Sequence, residues 1–204
     1  MTDLDLSKIK VVFMDIGGVM LSNGWGHGSR EEAAKLFDFN YEEMNILHNF
    51  IFNVYEVGSI SLDEYLNTIL FHTPQSFLRS SFKDFMFAQS TELPELSWLK
   101  NWKKQIQLPV FSINNEGLEL NEYRIKKFNL HQVCDGFFSS CYLGYRKPDP
   151  HIFKKALQIA QILPDECLYF DDRPMLVNAA KQLGMNAILH EKFETTKEIL
   201  ENLI

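Results

Sequence analysis

Six side chains able to handle a phosphoryl group or a cation stand at or just past the ends of short apolar runs. Asp15 follows Val11-Val-Phe-Met14, Ser112 ends Val110-Phe-Ser112, and Asn114 lies two residues beyond it. Lys147 lies in Gly144-Tyr-Arg-Lys-Pro-Asp149, and Asp171 and Asp172 close Leu168-Tyr-Phe-Asp-Asp172. Carboxylates gathered in one place raise one another's pKa unless a cation lies among them. A hard divalent ion such as magnesium takes oxygen ligands and relieves that conflict. Together with Lys147 it can hold a dianionic phosphate, which Asp15 can attack in line to give an aspartyl phosphate. Ser112 and nearby backbone N–H groups can donate to the phosphoryl oxygens. The turn at Gly17-Gly18 lets the backbone approach a ligand closely.

For these groups to meet, the apolar runs must be neighbouring parallel strands. Strand-like runs alternate with amphipathic helices along most of the chain, which predicts a doubly wound α/β protein with a five-stranded parallel sheet. Strands are expected at 8–14, 108–113, 136–139, 167–170 and 186–189. Helices are expected at 95–105, 117–128, 150–162, 173–183 and 193–203. Pro150 stands at a helix start, where its missing N–H costs nothing, and Gly184 is a C-terminal cap. All strand ends then lie on one edge, where open α/β sheets bind ligands.

The stretch from Leu21 to Gln89 breaks the alternation and reads as helical throughout. Ser61-Leu-Asp-Glu64 is a capping box opening a helix to about Phe71. His72-Thr-Pro74 breaks it, and another helix begins near Gln75. The division is therefore a core of residues 1–19 and 91–204 with a helical cap of 20–90 inserted above the strand ends. The Phe-rich run from Phe71 to Phe87 reads as bundle core.

Composition narrows the function classes. The chain has 204 residues, 46% of them hydrophobic, with 17 Phe and a net charge of -7, which suits a folded domain carrying a small insertion. Nucleic-acid binding wants clustered cations; Lys100–Lys104 and Arg124–Lys127 read as wet helix faces, so no nucleic-acid partner is expected. Three cysteines without a C-x-x-C spacing read as buried free thiols. No apolar run nears the roughly 20 residues of a membrane span, and the N-terminus has no signal-peptide character. No membrane partner is expected, and the cytoplasm is the expected compartment. Nothing in the residues sets an oligomeric state.

The four chemistry-bearing segments resemble, in order, the four motifs of the haloacid dehalogenase-like (HAD) superfamily. Phe13-Met-Asp-Ile-Gly-Gly-Val19 is similar to the first motif in a D-x-G-G-V form, and Ser112 matches the second. Lys147 in Arg146-Lys-Pro-Asp-Pro-His-Ile-Phe153 matches the third, and Tyr169-Phe-Asp-Asp-Arg173 the fourth. The resemblance implies a Rossmann-like core with a small helical cap between motifs one and two. It also implies a magnesium-dependent phosphohydrolase acting on a small phosphorylated metabolite. Asp15 would be nucleophile and metal ligand. Asp172, assisted by Asp171, and the backbone carbonyl of Gly17 would complete the protein's metal ligands. Ser112 and Lys147 would bind the phosphoryl group.

Two departures matter. Phosphatases of the superfamily usually carry a second Asp where this chain has Gly17, as general acid and base. General acid–base catalysis contributes on the order of 10²–10⁴-fold, most for alkyl phosphates with basic leaving groups. Either another residue substitutes (His27 and Asp149 are the candidates), or the enzyme is slow or selective for good leaving groups, or the chain binds phosphate without useful turnover. In the second motif, Ile113 separates Ser112 from Asn114, which is either a substrate contact or a turn residue. His27 and Trp25, in Gly24-Trp-Gly-His-Gly28, are candidate substrate contacts, although a hinge explains the glycines equally well. Dehalogenation from carbon needs no metal, and the retained Asp171-Asp172 pair argues against it.

Overall fold

A computed structural model describes residues 4–204, and in it five strands form one all-parallel sheet. They are β1 (Val11–Met14), β2 (Val110–Ser112), β3 (Gly136–Phe137), β4 (Cys167–Asp171) and β5 (Asn186–Leu189), in the order β3-β2-β1-β4-β5. Helices cover both faces, so central strands must be apolar on both sides. Every residue of β1 and β4 is accordingly buried. Side chains alternate between two cores. Val12, Met14, Leu168 and Phe170 face one that includes Trp102 and Leu200. Val11, Phe13, Cys167 and Tyr169 face the other, with Phe153 and Val177.

Register positions the site. Met14 of β1 is level with Ser112 of β2 and Phe170 of β4. Asp15 therefore leaves the sheet beside the end of β4, and its N–H donates to the Phe170 carbonyl at 2.8 Å.

Four helices lie between the Leu21 and Glu92 positions of the stretch that follows β1: α1 (His27–Phe37), α2 (Tyr41–Glu56), α3 (Leu62–Leu66) and α4 (Arg79–Ala88). The expected capping box opens α3, with Ser61 N–H donating to Glu64 Oε2 at 2.8 Å and Glu64 N–H to Ser61 Oγ at 3.3 Å. A π turn over Asn67–Phe71 continues it. Helix α4 starts at Arg79 rather than near Gln75, because the Gln75 side chain donates to the Leu70 carbonyl at 2.7 Å and closes the preceding turn instead. Phe82 is fully buried against Phe37, Phe77 and Trp25, so the Phe-rich run forms bundle core. The chain leaves for these helices and returns at Leu21 and Glu92, which pair in an antiparallel bridge.

The remaining helices are α5 (Glu95–Lys103), α6 (Leu118–Lys127), α7 (Ser140–Leu143), α8 (Pro150–Ala160), α9 (Pro174–Lys181) and α10 (Phe193–Glu201). Several elements are shorter than expected. Lys8 belongs to a 3-10 turn held by Asp5, not to β1, and β3 keeps only two residues. Cys134, Cys141 and Cys167 are free thiols, of which Cys134 and Cys167 are buried. Among the described residues no helix is long and apolar enough to cross a membrane.

Candidate active site

Asp15, Asp171 and Asp172 converge at the carboxyl ends of β1 and β4, each offering an oxygen within 4.8 Å of the others. Lys147, on the turn before α8, reaches into the cluster although it is only 1% exposed. Its ammonium lies 3.1 Å from Asp15 Oδ2, 2.7 Å from Asp171 Oδ2 and 3.1 Å from the Tyr169 hydroxyl. Tyr169 also donates to Asp171, and the Arg173 N–H donates to Asp171 Oδ1 at 2.9 Å. Both oxygens of Asp171 are thus engaged by the protein. Asp172 contrasts with it, because its buried Oδ1 has no hydrogen-bond partner among the described residues.

The cluster is electrostatically loaded. Burial raises the Asp15 carboxyl to about 6, with Lys147 opposing and Asp171 adding to the rise. Burial, then the charge of Asp171, also raises Asp172. An array of hard carboxylate oxygens, one of them unpartnered, suits magnesium or a similar cation. The Gly17 carbonyl accepts no backbone hydrogen bond among the described residues, which leaves it open as a further oxygen donor.

Of the two glycines that follow Asp15, Gly18 is required by its backbone and a close contact, whereas Gly17 faces only a movable side chain. Gly18 has φ +73°, and a Cβ there would lie 2.1 Å from Asp172 Oδ2. A Cβ on Gly17 would lie 2.9 Å from Asn23 Oδ1. The Asn23 carboxamide therefore stands where a residue-17 side chain would project. An amide cannot exchange a proton at neutral pH, so a group of the right size but without acid chemistry occupies that corner.

Ser112 ends β2 as expected, but its side chain is withdrawn from the cavity. It is fully buried and does not line the cavity beside Asp15. Being level with Met14, it lies one residue short of the sheet edge, and its hydroxyl donates to Asn114 Oδ1 at 3.0 Å. Asn114 does line the cavity, held by Ser139 at 2.9 Å and Asn121 at 3.0 Å. Asn115 brackets Lys147 through bonds of 2.7 and 2.8 Å to its backbone N–H and carbonyl.

Two adjoining cavities, of about 120 and 300 Å³, open from this edge toward the inserted helices. Asp15, Asn23, Asn114 and Lys147 line the first; Arg30, His48 and Tyr65 line the second; Trp25, Glu56 and Arg146 line both. His27 borders only the second, with its side chain 67% exposed. Asp149 is the half-buried cap of α8, bonded to His151 at 2.9 and 2.7 Å. Neither lines the cavity holding Asp15. Arg124, expected on a wet face, is buried, with 2.6 Å bonds to Glu116 and to the Ser22 carbonyl. Residue type and helical spacing carry no sign of that partner, which is met only in the folded chain.

His48 forms part of the second cavity's wall. The Trp25 indole donates to the Tyr65 hydroxyl at 3.0 Å, which lies 2.7 Å from His48 Nδ1. The Tyr65 hydroxyl thus links the indole to the imidazole. Burial, then the charge of Arg30, lowers the His48 pKa to about 3. The unfolded chain takes up this proton near pH 6.5 and the folded one does not, so this group's contribution falls as pH drops from 6.5 toward 3. Stability of His48→Gln relative to wild type is expected to rise across that range, by at most about 1.4 kcal/mol per pH unit. Urea unfolding at successive pH values measures this; a constant difference would place a proton on folded His48.

Fold and site together define a class: a doubly wound α/β protein with carboxylates and one lysine converging at the strand ends, beneath an inserted helical layer. Residues 9–184 match the haloacid dehalogenase-like hydrolase family, and the chain belongs to it. Its relatives include a D-ribitol-5-phosphate phosphatase of Bacteroides thetaiotaomicron, 24% identical over 90% of this chain and 92% of that protein. A flavin mononucleotide hydrolase of Arabidopsis thaliana is 31% identical over 38% of this chain and 31% of that one. Among solved structures, a HAD family enzyme of Bacteroides thetaiotaomicron in complex with magnesium and inorganic phosphate superposes with a TM-score of 0.78. It is 22% identical, over 92% of this chain and 98% of that one. An L-2-haloacid dehalogenase has the same fold at a TM-score of 0.64 and 14% identity, over 89% and 84% of the two chains.

Proposed function

We propose that this hydrolase is a magnesium-dependent phosphatase of small phosphorylated metabolites, with Asp15 as the nucleophile that accepts the phosphoryl group. The carrying observation is the Lys147 ammonium 3.1 Å from Asp15 and 2.7 Å from Asp171, in a cluster where Asp172 keeps an unpartnered buried oxygen. Asp15, Asp172 and the Gly17 carbonyl would hold the cation, which when bound neutralises phosphoryl and carboxylate charge. Asp171 orients Lys147. Lys147 draws the phosphoryl oxygens toward Asp15, and Asn114, rather than the buried Ser112, meets them from β2. Asp15 attacks phosphorus, the bond to the leaving oxygen breaks, and water then attacks the aspartyl phosphate. The D-ribitol-5-phosphate phosphatase relative, and a HAD family enzyme of the same fold solved with magnesium and inorganic phosphate, support this reading.

Turnover depends on the leaving group. Glu56 and Glu116 are the other carboxylates facing Asp15's cavity, and burial raises both. Each is tied to an arginine at 2.6 Å, which opposes protonation. With Asn23 beside Gly17, aryl and acyl phosphates are the better substrates. A phosphate-binding role with little turnover is the second reading, favoured by that same Asn23.

Gly17→Asp alone meets Asn23 and gains little. Gly17→Asp with Asn23→Gly is expected to raise kcat/KM for alkyl phosphates by about 10²-fold relative to para-nitrophenyl phosphate, the lower range of general-acid catalysis. Steady-state kinetics on both substrates measure the ratio. No change in it would mean that a proton donor is already in place.

A further inference from the structure

We propose that the second cavity is an anion subsite, in which Arg30 and Arg173 bind a carboxylate or second phosphoryl group at the far end of the substrate. This deepens the phosphatase reading and rests on it, narrowing the substrate class to phosphomonoesters that carry another acidic group.

The two cavities share Trp25, Glu56, Glu116, Arg146 and Arg173 in their walls, so a molecule seated at Asp15 extends from one into the other. Their charges do not cancel. Arg146 is paired with Glu56 and Arg124 with Glu116, both at 2.6 Å. Arg30 and Arg173 form no ion pair among the described residues.

Arg173 is exposed, and water can solvate it. Arg30 is different, because it is only 8% exposed. Its hydrogen bonds are long: Nε to Asn45 Oδ1 at 3.4 Å and Nη1 to the Trp25 carbonyl at 3.5 Å, with Nη2 making none among the described residues. A guanidinium taken out of water is costly without a counter-ion. No carboxylate among the described residues pairs with it, and its neighbour His48 is held neutral. A carboxylate or phosphoryl group matches the planar fork of Arg30 bidentately. A neutral polyol end would leave that charge unmet.

Matched substrates test the subsite: phosphogluconate against sorbitol phosphate, and phosphoglycerate against glycerol phosphate. Wild-type kcat/KM is expected to favour the acidic member of each pair by about 10- to 100-fold, the range for a buried charge-assisted hydrogen bond, chiefly through KM. Arg30→Gln is expected to bring the ratio near one, and Arg30→Lys to leave part of it. A wild-type ratio near one overturns the proposal, as does a ratio that survives Arg30→Gln. Should Arg30→Gln not fold, the wild-type and Arg30→Lys ratios decide. Calorimetric binding of the same pairs to Asp15→Asn protein with magnesium gives a readout without turnover. Acidic preference in binding with no turnover by wild type, of para-nitrophenyl phosphate and acetyl phosphate as well as of these pairs, would sink the phosphatase reading and keep the subsite. Turnover without preference would sink the subsite alone.

Discussion

Asp15→Asn is expected to lower kcat for para-nitrophenyl phosphate at least about 10⁴-fold, the scale on which removal of a covalent nucleophile acts. The carboxamide has nearly the shape of the carboxylate but cannot form an acyl phosphate. Stability is not expected to fall with activity. Burial lifts the Asp15 carboxyl to about 6, above its ordinary value, so its ionisation opposes folding at pH 8 when no cation is bound. Lys147 keeps a counter-charge in Asp171 at 2.7 Å. Metal-free Asp15→Asn should therefore melt at or above the wild-type temperature while being inactive. Retained turnover, within about tenfold of wild type, would remove Asp15 as nucleophile. A large loss of stability would make the kinetic result uninformative and would contradict the charge balance described for the site.

Lys147→Met should act in the opposite sense on stability. The ammonium is 1% exposed and bonds to Asp15, Asp171 and the Tyr169 hydroxyl. Methionine fills much of the volume but leaves buried carboxylates without their cation, a loss of about 3–5 kcal/mol for a broken buried pair. Added magnesium should recover part of it, since a ligand that binds only the folded state stabilises by mass action. kcat/KM should fall by about 10³-fold, as when a donor to developing phosphoryl charge is lost. Thermal melts with and without magnesium, and steady-state kinetics, check both. A variant as stable as wild type in chelator would overturn the role of Lys147 as the cation that balances the buried carboxylates. One still active within tenfold would mean that Lys147 does not contact the transferred group.

The contrast between these variants separates two kinds of information. Alternating strands and helices, Asp15 and the Asp171-Asp172 pair at strand ends, the helical insert and the Ser61–Glu64 box were all legible in the residues. Each depends on short-range periodicity or on neighbours a few positions apart. Even Tyr169 was readable in principle, because two-residue alternation places it on the Asp171 side of β4.

Other features needed the folded chain. Strand register decided that Ser112 is level with Met14, so Asn114 rather than Ser112 reaches the cavity. The turn from Gly17 to Leu21 brought Asn23 into the corner beside Gly17, while His27 and Asp149 were carried away from Asp15. Helix packing buried Arg124 against Glu116 and left Arg30 without a carboxylate among the described residues. Local pattern sets which elements form and which side chains stand at their ends. A charge's partner, or its lack of one, arises where distant segments pack, and there burial strengthens every interaction that is met and every one that is not.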